Sequence, residues 1–208
     1  MYRQVIVLAV FAAFLCGFPA SCDNNRPIIG ILSQEKLEDD PHAQGSSYIA
    51  ASYVKHLESA GARVVPIRIN LKEDEYIKLF NSINGLLLPG GNVDIDKSQF
   101  KTVSKIFYEL AIKANDVSDY FPIWGTCQGF QQLTVLTSNK NLLTLTDTKA
   151  VTLPLTFSPE AKNSKLFKSF PEDVFQSLAE ENITPNFHSW SLSMQTQTLS
   201  TVVDLLKL

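Results

Sequence analysis

Apolar and polar positions along this chain fall into two alternating patterns. Continuous apolar runs occupy residues 27–32, 85–88 and 121–125, and residues 62–69 are rich in β-branched side chains. Short runs of this kind predict strands buried on both faces. The stretches between them show helical spacing. Ile49, Tyr53, Val54 and Leu57 share one face of a helix predicted over 47–60, which Gly61 ends. Val103, Ile106, Phe107 and Leu110 do the same over 98–114, and shorter helices are predicted over 73–80, 128–136 and 172–178. Residues 33–45 are polar, contain Pro41 and read as a loop. The pattern loosens after 136, with strands predicted at 142–145, 151–157 and 183–188. Strands alternating with helices imply βαβ units, so the fold class is α/β with a mainly parallel sheet flanked by helices. Such sheets carry their sites at the carboxyl ends of the strands. Two glycine-rich loops fall there: Pro89-Gly90-Gly91, and Gly125-Thr126-Cys127-Gln128-Gly129.

Composition narrows the function classes. Of 208 residues, 45% are hydrophobic and 19% charged, so a core can form and disorder is not expected. The net charge of −3, with no run of five basic residues, leaves no electrostatic footprint for nucleic acid. The N-terminus reads as a signal peptide over 1–22: Arg3, then a nearly unbroken apolar run from Val5 to Phe18, then Pro19-Ala20-Ser21-Cys22. Cleavage is expected between Ala20 and Asp23. The apolar run is short for a membrane span of about 20 residues, so no membrane association is expected after cleavage. Cys16 and Cys22 would leave with the leader, and Cys127 would be the one cysteine of the mature chain. Most free cysteines are buried small hydrophobes. A lone thiol in a secretory compartment is nonetheless open to oxidation, and its local context decides between the two readings.

That context is Gly125-x-Cys127-x-Gly129, placed after an apolar strand and before an amphipathic helix, which is the pattern of a nucleophile elbow. The sharp strand-to-helix turn thrusts the central side chain out above the sheet, and bulky residues two positions away would clash. The turn also sets the sulfur at a helix N-terminus, where unpaired N–H groups favour negative charge. Pro89-Gly90-Gly91 reads as a tight turn or as an oxyanion hole, because glycine lets backbone N–H groups approach a developing charge. Gly90 and Gly91 are then candidate oxyanion-hole residues, with the N–H of Gln128 as a further donor.

Six segments carry a resemblance: residues 26–32, 48–54, 57–66, 88–91, 120–130 and 186–191, the last reading Asn-Phe-His-Ser-Trp-Ser. Together they resemble gamma-glutamyl hydrolases over roughly residues 26–193. The resemblance implies a class I glutamine amidotransferase-like, flavodoxin-like fold. It also implies cleavage of gamma-glutamyl bonds in folate and antifolate polyglutamates by a cysteine nucleophile through a thioester. No cofactor or metal is implied, and these relatives tend to form homodimers. Location in the extracellular space or the lysosome is expected. Cys127 matches the family nucleophile, and His188 matches an active-site histidine. From the residues alone, His188 fits a hydrogen-bonded core histidine as well.

The pattern breaks near the C-terminus. The family carries its catalytic base in a Trp-His-Pro-Glu segment, which is absent; the histidines here are His42, His56 and His188. Resemblance stops near Met194, dividing the chain into a leader (1–22), an incomplete hydrolase-like domain (23–194) and a divergent tail (195–208). The expectation is a C-terminally truncated form lacking a strand and a helix, with impaired hydrolysis. The alternative is a non-catalytic product that binds folate polyglutamate or pairs with a full-length enzyme. Gln131 and Gln132 stand where an acidic residue is expected in some relatives. Asn182-Ile183-Thr184 is a glycosylation sequon weakened by Pro185.

Overall fold

The computed structural model describes residues 24–38 and 44–193. The expected leader, His42 and the tail 195–208 lie outside the described residues. Strands β1 (Ile28–Leu32), β4 (Arg63–Ile67), β5 (Gly85–Leu88) and β6 (Ile123–Gly125) form a parallel sheet in the order β4-β1-β5-β6. Helices α1 (Ala51–Ser59), α2 (Glu73–Phe80), α3 (Gln99–Asp116) and α4 (Gln128–Ser138) alternate with them. The apolar runs became the central strands. All four residues of β5 are buried, and Ile31 and Leu32 of β1 are fully buried.

Spacing along α3 explains its packing. Phe100, Val103, Phe107 and Ala111 lie on one face and are all buried. Phe107 meets Tyr76 and Phe80 of α2, and Phe80 stacks on Phe121 at 4.1 Å between ring centroids. Each fully buried large apolar side chain stabilises the fold by about 1.5–3 kcal/mol. The N-terminus of α3 is capped twice. Ser98 Oγ accepts from the Lys101 N–H at 3.1 Å, and the Glu35 carboxylate accepts from the N–H groups of Gln99 and Phe100.

The topology places the site. The chain leaves β1 and returns on one side as β4, then crosses over to pair on β1's other side as β5. The crevice at such a reversal, at the carboxyl ends of the strands, is where open α/β sheets bind ligands. Here the residues after β1, β5 and β6 gather.

Several boundaries differ from those expected. The loop predicted at 33–45 contains β2 (Gln34–Glu35), which pairs antiparallel with β3 (Ser47–Tyr48). The predicted helix therefore starts at Ala51 instead of Ser47, because strand pairing captures residues 47–48. The strands expected at 142–145 and 151–157 are one strand, β7 (Leu143–Leu153), whose polar middle is carried by its partner β8 (Thr184–Leu192). These two form a separate antiparallel ribbon, with irregular register between Leu145 and Thr148 and between Lys149 and Val151. Ala150, at φ 57°, sits in the second irregularity. Helix α5 (Glu172–Glu180) joins Phe157, Phe167 and Phe170 through Phe175 in a small aromatic cluster.

Candidate active site

Two loops meet where β5 and β6 end. The Thr126 N–H donates to the Leu88 carbonyl at 3.0 Å, tying the loop after β6 to β5. The chain then turns through Cys127, at φ 52° and ψ −113°, and α4 begins at Gln128. Positive φ costs a non-glycine residue about 1–3 kcal/mol, so surrounding packing must impose it. Gly125 and Gly129 supply that packing. A Cβ on Gly125 would lie 2.6 Å from the Gly129 carbonyl carbon, and one on Gly129 would lie 2.0 Å from the Leu88 oxygen. The backbone segments touch, the turn closes, and Cys127 stands exposed.

The glycine loop after β5 runs beside the sulfur. A Cβ on Gly90 would lie 3.0 Å from Cys127 Cβ and 3.6 Å from its Sγ. The three expected oxyanion-hole amides separate into two kinds. The Gly90 N–H already donates to the Tyr53 hydroxyl at 2.8 Å. The N–H groups of Gly91 and Gln128 have no hydrogen bond among the described residues. For Gln128 this follows from its place in the first turn of α4, where helical N–H groups have no partner within the helix.

A buried amide network fixes the loop. Gln128 Oε1 accepts from the Val93 N–H at 3.1 Å and from Gln34 Nε2 at 3.0 Å, while Gln128 Nε2 donates to the Val93 carbonyl. Gln34, 2% exposed, lies where a Cβ on Gly91 would be, 1.5 Å from its Oε1. The first helical side chain after the nucleophile thus grips the far end of the glycine loop.

A cleft of about 870 Å³ opens over these groups. Its walls are the loop from Gly91 to Asp96, the start of α4 with Cys127, Gln128 and Gln131, and the β8 segment Phe187, His188, Ser189 and Trp190. Phe187 and Trp190 are 74% and 50% exposed and form an apolar rim. His188 is half-buried, and its backbone carbonyl accepts from Thr148 Oγ1 at 2.8 Å. Its imidazole has no hydrogen-bond partner among the described residues. Asp94 folds its carboxylate onto the N–H groups of Asp96 and Lys97 at 2.8 and 2.9 Å, and these two bonds, Asp96 first, hold its pKa below the ordinary aspartate value.

Cys127, His188, Gly91 and Gln128 therefore share one cleft, and Gly90 lies directly beneath it. His56 is exposed on α1 and does not line the cleft. Asn182 is exposed, whereas the Thr184 hydroxyl of its sequon is buried without a partner. The sequence reading missed Tyr53 and Gln34. Tyr53 looked like one more apolar position of a helix, and Gln34, two residues past the end of β1, carried no local signal. Among the described residues, no cluster of three or more His, Cys, Asp or Glu is arranged to hold a metal, and no helix is long and apolar enough to cross a membrane.

Comparison with known proteins agrees with this geometry. Residues 27–152 match the family model described as Peptidase C26. The chain is 50% identical over 201 residues to a gamma-glutamyl hydrolase of Bos taurus, covering 93% of this chain and 63% of that protein. The gamma-glutamyl hydrolase of Homo sapiens is 48% identical over 201 residues, with the same 93% and 63% coverage. That of Dictyostelium discoideum, gamma-glutamyl hydrolase B, is 39% identical over 175 residues, covering 83% and 50%. The chain thus spans about 63% of the length of the mammalian relatives it matches. With the elbow, the glycine loop and β1 to β6 all inside the matched stretch, this chain belongs to the peptidase C26 family.

Proposed function

We propose that this chain hydrolyses gamma-glutamyl bonds in folate and antifolate polyglutamates, with Cys127 as the nucleophile. The observation that carries the reading is the strained, exposed Cys127 beside the Gly90-Gly91 bend, at the mouth of a cleft that also holds His188. His188 on the cleft takes the thiol proton as the sulfur attacks the amide carbonyl of the gamma linkage, forming a C–S bond and moving the carbonyl π electrons onto oxygen. The N–H groups of Gly91 and Gln128, without other partners among the described residues, receive that oxyanion. Collapse breaks the C–N bond and leaves a thioester; the departing amine takes a proton, and His188 is the titratable group on the cleft suited to deliver it. Water then attacks the thioester and regenerates the thiol. Tyr53 supports the loop by accepting the Gly90 N–H.

A second reading, binding without turnover, draws on a separate observation. The His188 imidazole has no orienting partner among the described residues, and a base left unoriented loses much of its effect. Secretion or lysosomal residence and pairing into a homodimer belong to the same proposal. The test is to incubate the purified chain with folate diglutamate and pentaglutamate and quantify released glutamate, with C127A as control. Release that C127A abolishes supports hydrolysis. Tight binding with no release supports the second reading, and neither binding nor release refutes both.

A further inference from the structure

Beside the cleft lies a second groove of about 340 Å³, and the two share the residues Asp96 and Asn141 as a common rim. Among the described residues the main cleft has no lysine or arginine on its walls, and its charged lining residues are Asp94 and Asp96. The second groove has three lysines: Lys101 and Lys105 from α3, and Lys140 from the turn after α4. Lys105 is paired with Glu109 at 3.7 Å. Lys101 and Lys140 have no carboxylate partner among the described residues. Asp96 is tied at the rim by the Asn141 side-chain amide, which donates to its Oδ2 at 3.5 Å.

We infer that this groove binds the distal part of the substrate, namely the free α-carboxylates of a poly-gamma-glutamyl tail running outward from the cleft over the Asp96–Asn141 rim. This rests on the hydrolase reading above and extends it from the bond cleaved to the length of chain recognised. A gamma-linked glutamate polymer carries one carboxylate per residue at a regular interval. Among the described residues the main cleft offers no lysine or arginine for them, and the adjoining groove offers Lys101 and Lys140 without a carboxylate partner. Lysine side chains suit such a wall, since their stems can pack along it while the ammonium groups stay hydrated. An attraction of this kind acts at the surface, is screened by salt and favours long tails over short ones. Tyr108, hydrogen-bonded to Thr137 at 3.0 Å, forms part of the groove wall with Val135 and Leu136.

The experiment measures binding of benzoyl-capped di- and penta-gamma-glutamate to the C127A chain, in which no turnover occurs. Three backgrounds are compared: C127A alone, C127A with K101Q and K140Q, and C127A with K55Q and K113Q, which removes the same charge elsewhere on the surface. The pentamer is expected to bind the parent about five- to ten-fold tighter than the dimer, the scale of two exposed ion pairs. The K101Q/K140Q chain should lose that preference to within about two-fold and leave the dimer's affinity unchanged, while the K55Q/K113Q chain retains it. A preference that survives K101Q/K140Q, or falls equally in K55Q/K113Q, overturns the groove. Equal binding of dimer and pentamer by the parent overturns the groove alone and leaves the hydrolase reading standing. Failure of the parent to bind either oligomer overturns both.

Discussion

The side-chain amide of Gln131 donates to the backbone carbonyl of Trp190 at 2.8 Å. This bond joins the helix that follows Cys127 to the strand that carries His188. The nucleophile belongs to the parallel sheet and the histidine to a separate two-stranded ribbon, so their distance depends on how the ribbon is held. Replacing Gln131 by Leu removes the donor and with it this link between helix and strand. Turnover should fall about ten-fold, with alkylation of Cys127 by iodoacetamide changed less than two-fold, and amide exchange in β8 should quicken. Equal losses in both reactions would show that the bond supports the elbow itself.

The elbow depends on two positions that cannot carry a side chain. In G129A the new methyl would meet the Leu88 carbonyl, and in G125A the Gly129 backbone. Each substitution is expected to cost about 1–3 kcal/mol or more, the range for overpacking against atoms that cannot move aside. Urea unfolding measures it, and a midpoint unchanged in either variant would contradict the close contact.

Helix α3 starts on the Glu35 carboxylate. E35A should destabilise the fold by about 1 kcal/mol through loss of this cap, since Ser98 alone then remains. Thermal unfolding reads this directly, and E35A together with S98A should cost more than either alone, the departure from additivity measuring how the two caps share one helix end.

Asp94 sets a pH dependence at the cleft. The N–H groups of Asp96 and Lys97 favour its charged form, so its folded pKa lies below the unfolded value near 3.8. A depressed carboxylate pKa contributes order that is fully present above the unfolded pKa and is lost as pH falls through the folded one. The 94–97 turn should therefore hold from neutral pH down past pH 4 and loosen only in stronger acid. Amide chemical shifts of Asp96 and Lys97 across an acid titration would report this; D94A should abolish the transition, and loosening already at pH 5 would contradict it.

How much of this could be read from the sequence depended on what held each element together. Strands β1 and β5 were legible because burial on both faces writes a continuous apolar run. Cys127 was legible because a positive φ at a strand-to-helix turn demands flanking glycines. The β2–β3 pairing and the full length of β7 were not. A two-residue strand leaves no periodicity, and the polar middle of β7 is stabilised by its partner across the ribbon and not by its own pattern. The Gln34–Gln128–Val93 network was invisible for a related reason. Gln34 and Gln128 are 94 positions apart, and a buried glutamine looks like a surface one until its partner is found. Gly90, Gly91 and Gln128 were all read as oxyanion-hole donors, whereas Tyr53 engages the Gly90 amide and leaves those of Gly91 and Gln128 without a partner among the described residues.

The central claim is that the Cys127 sulfur forms a covalent acyl intermediate. Rapid quenching of the chain with folate pentaglutamate in acid, followed by mass analysis of the peptide containing Cys127, tests it most directly. The account predicts a substrate-derived acyl mass on that cysteine, labile to hydroxylamine and absent in C127A. Release of glutamate at the same rate by C127A, with the thiol of the parent chain never modified, would contradict it.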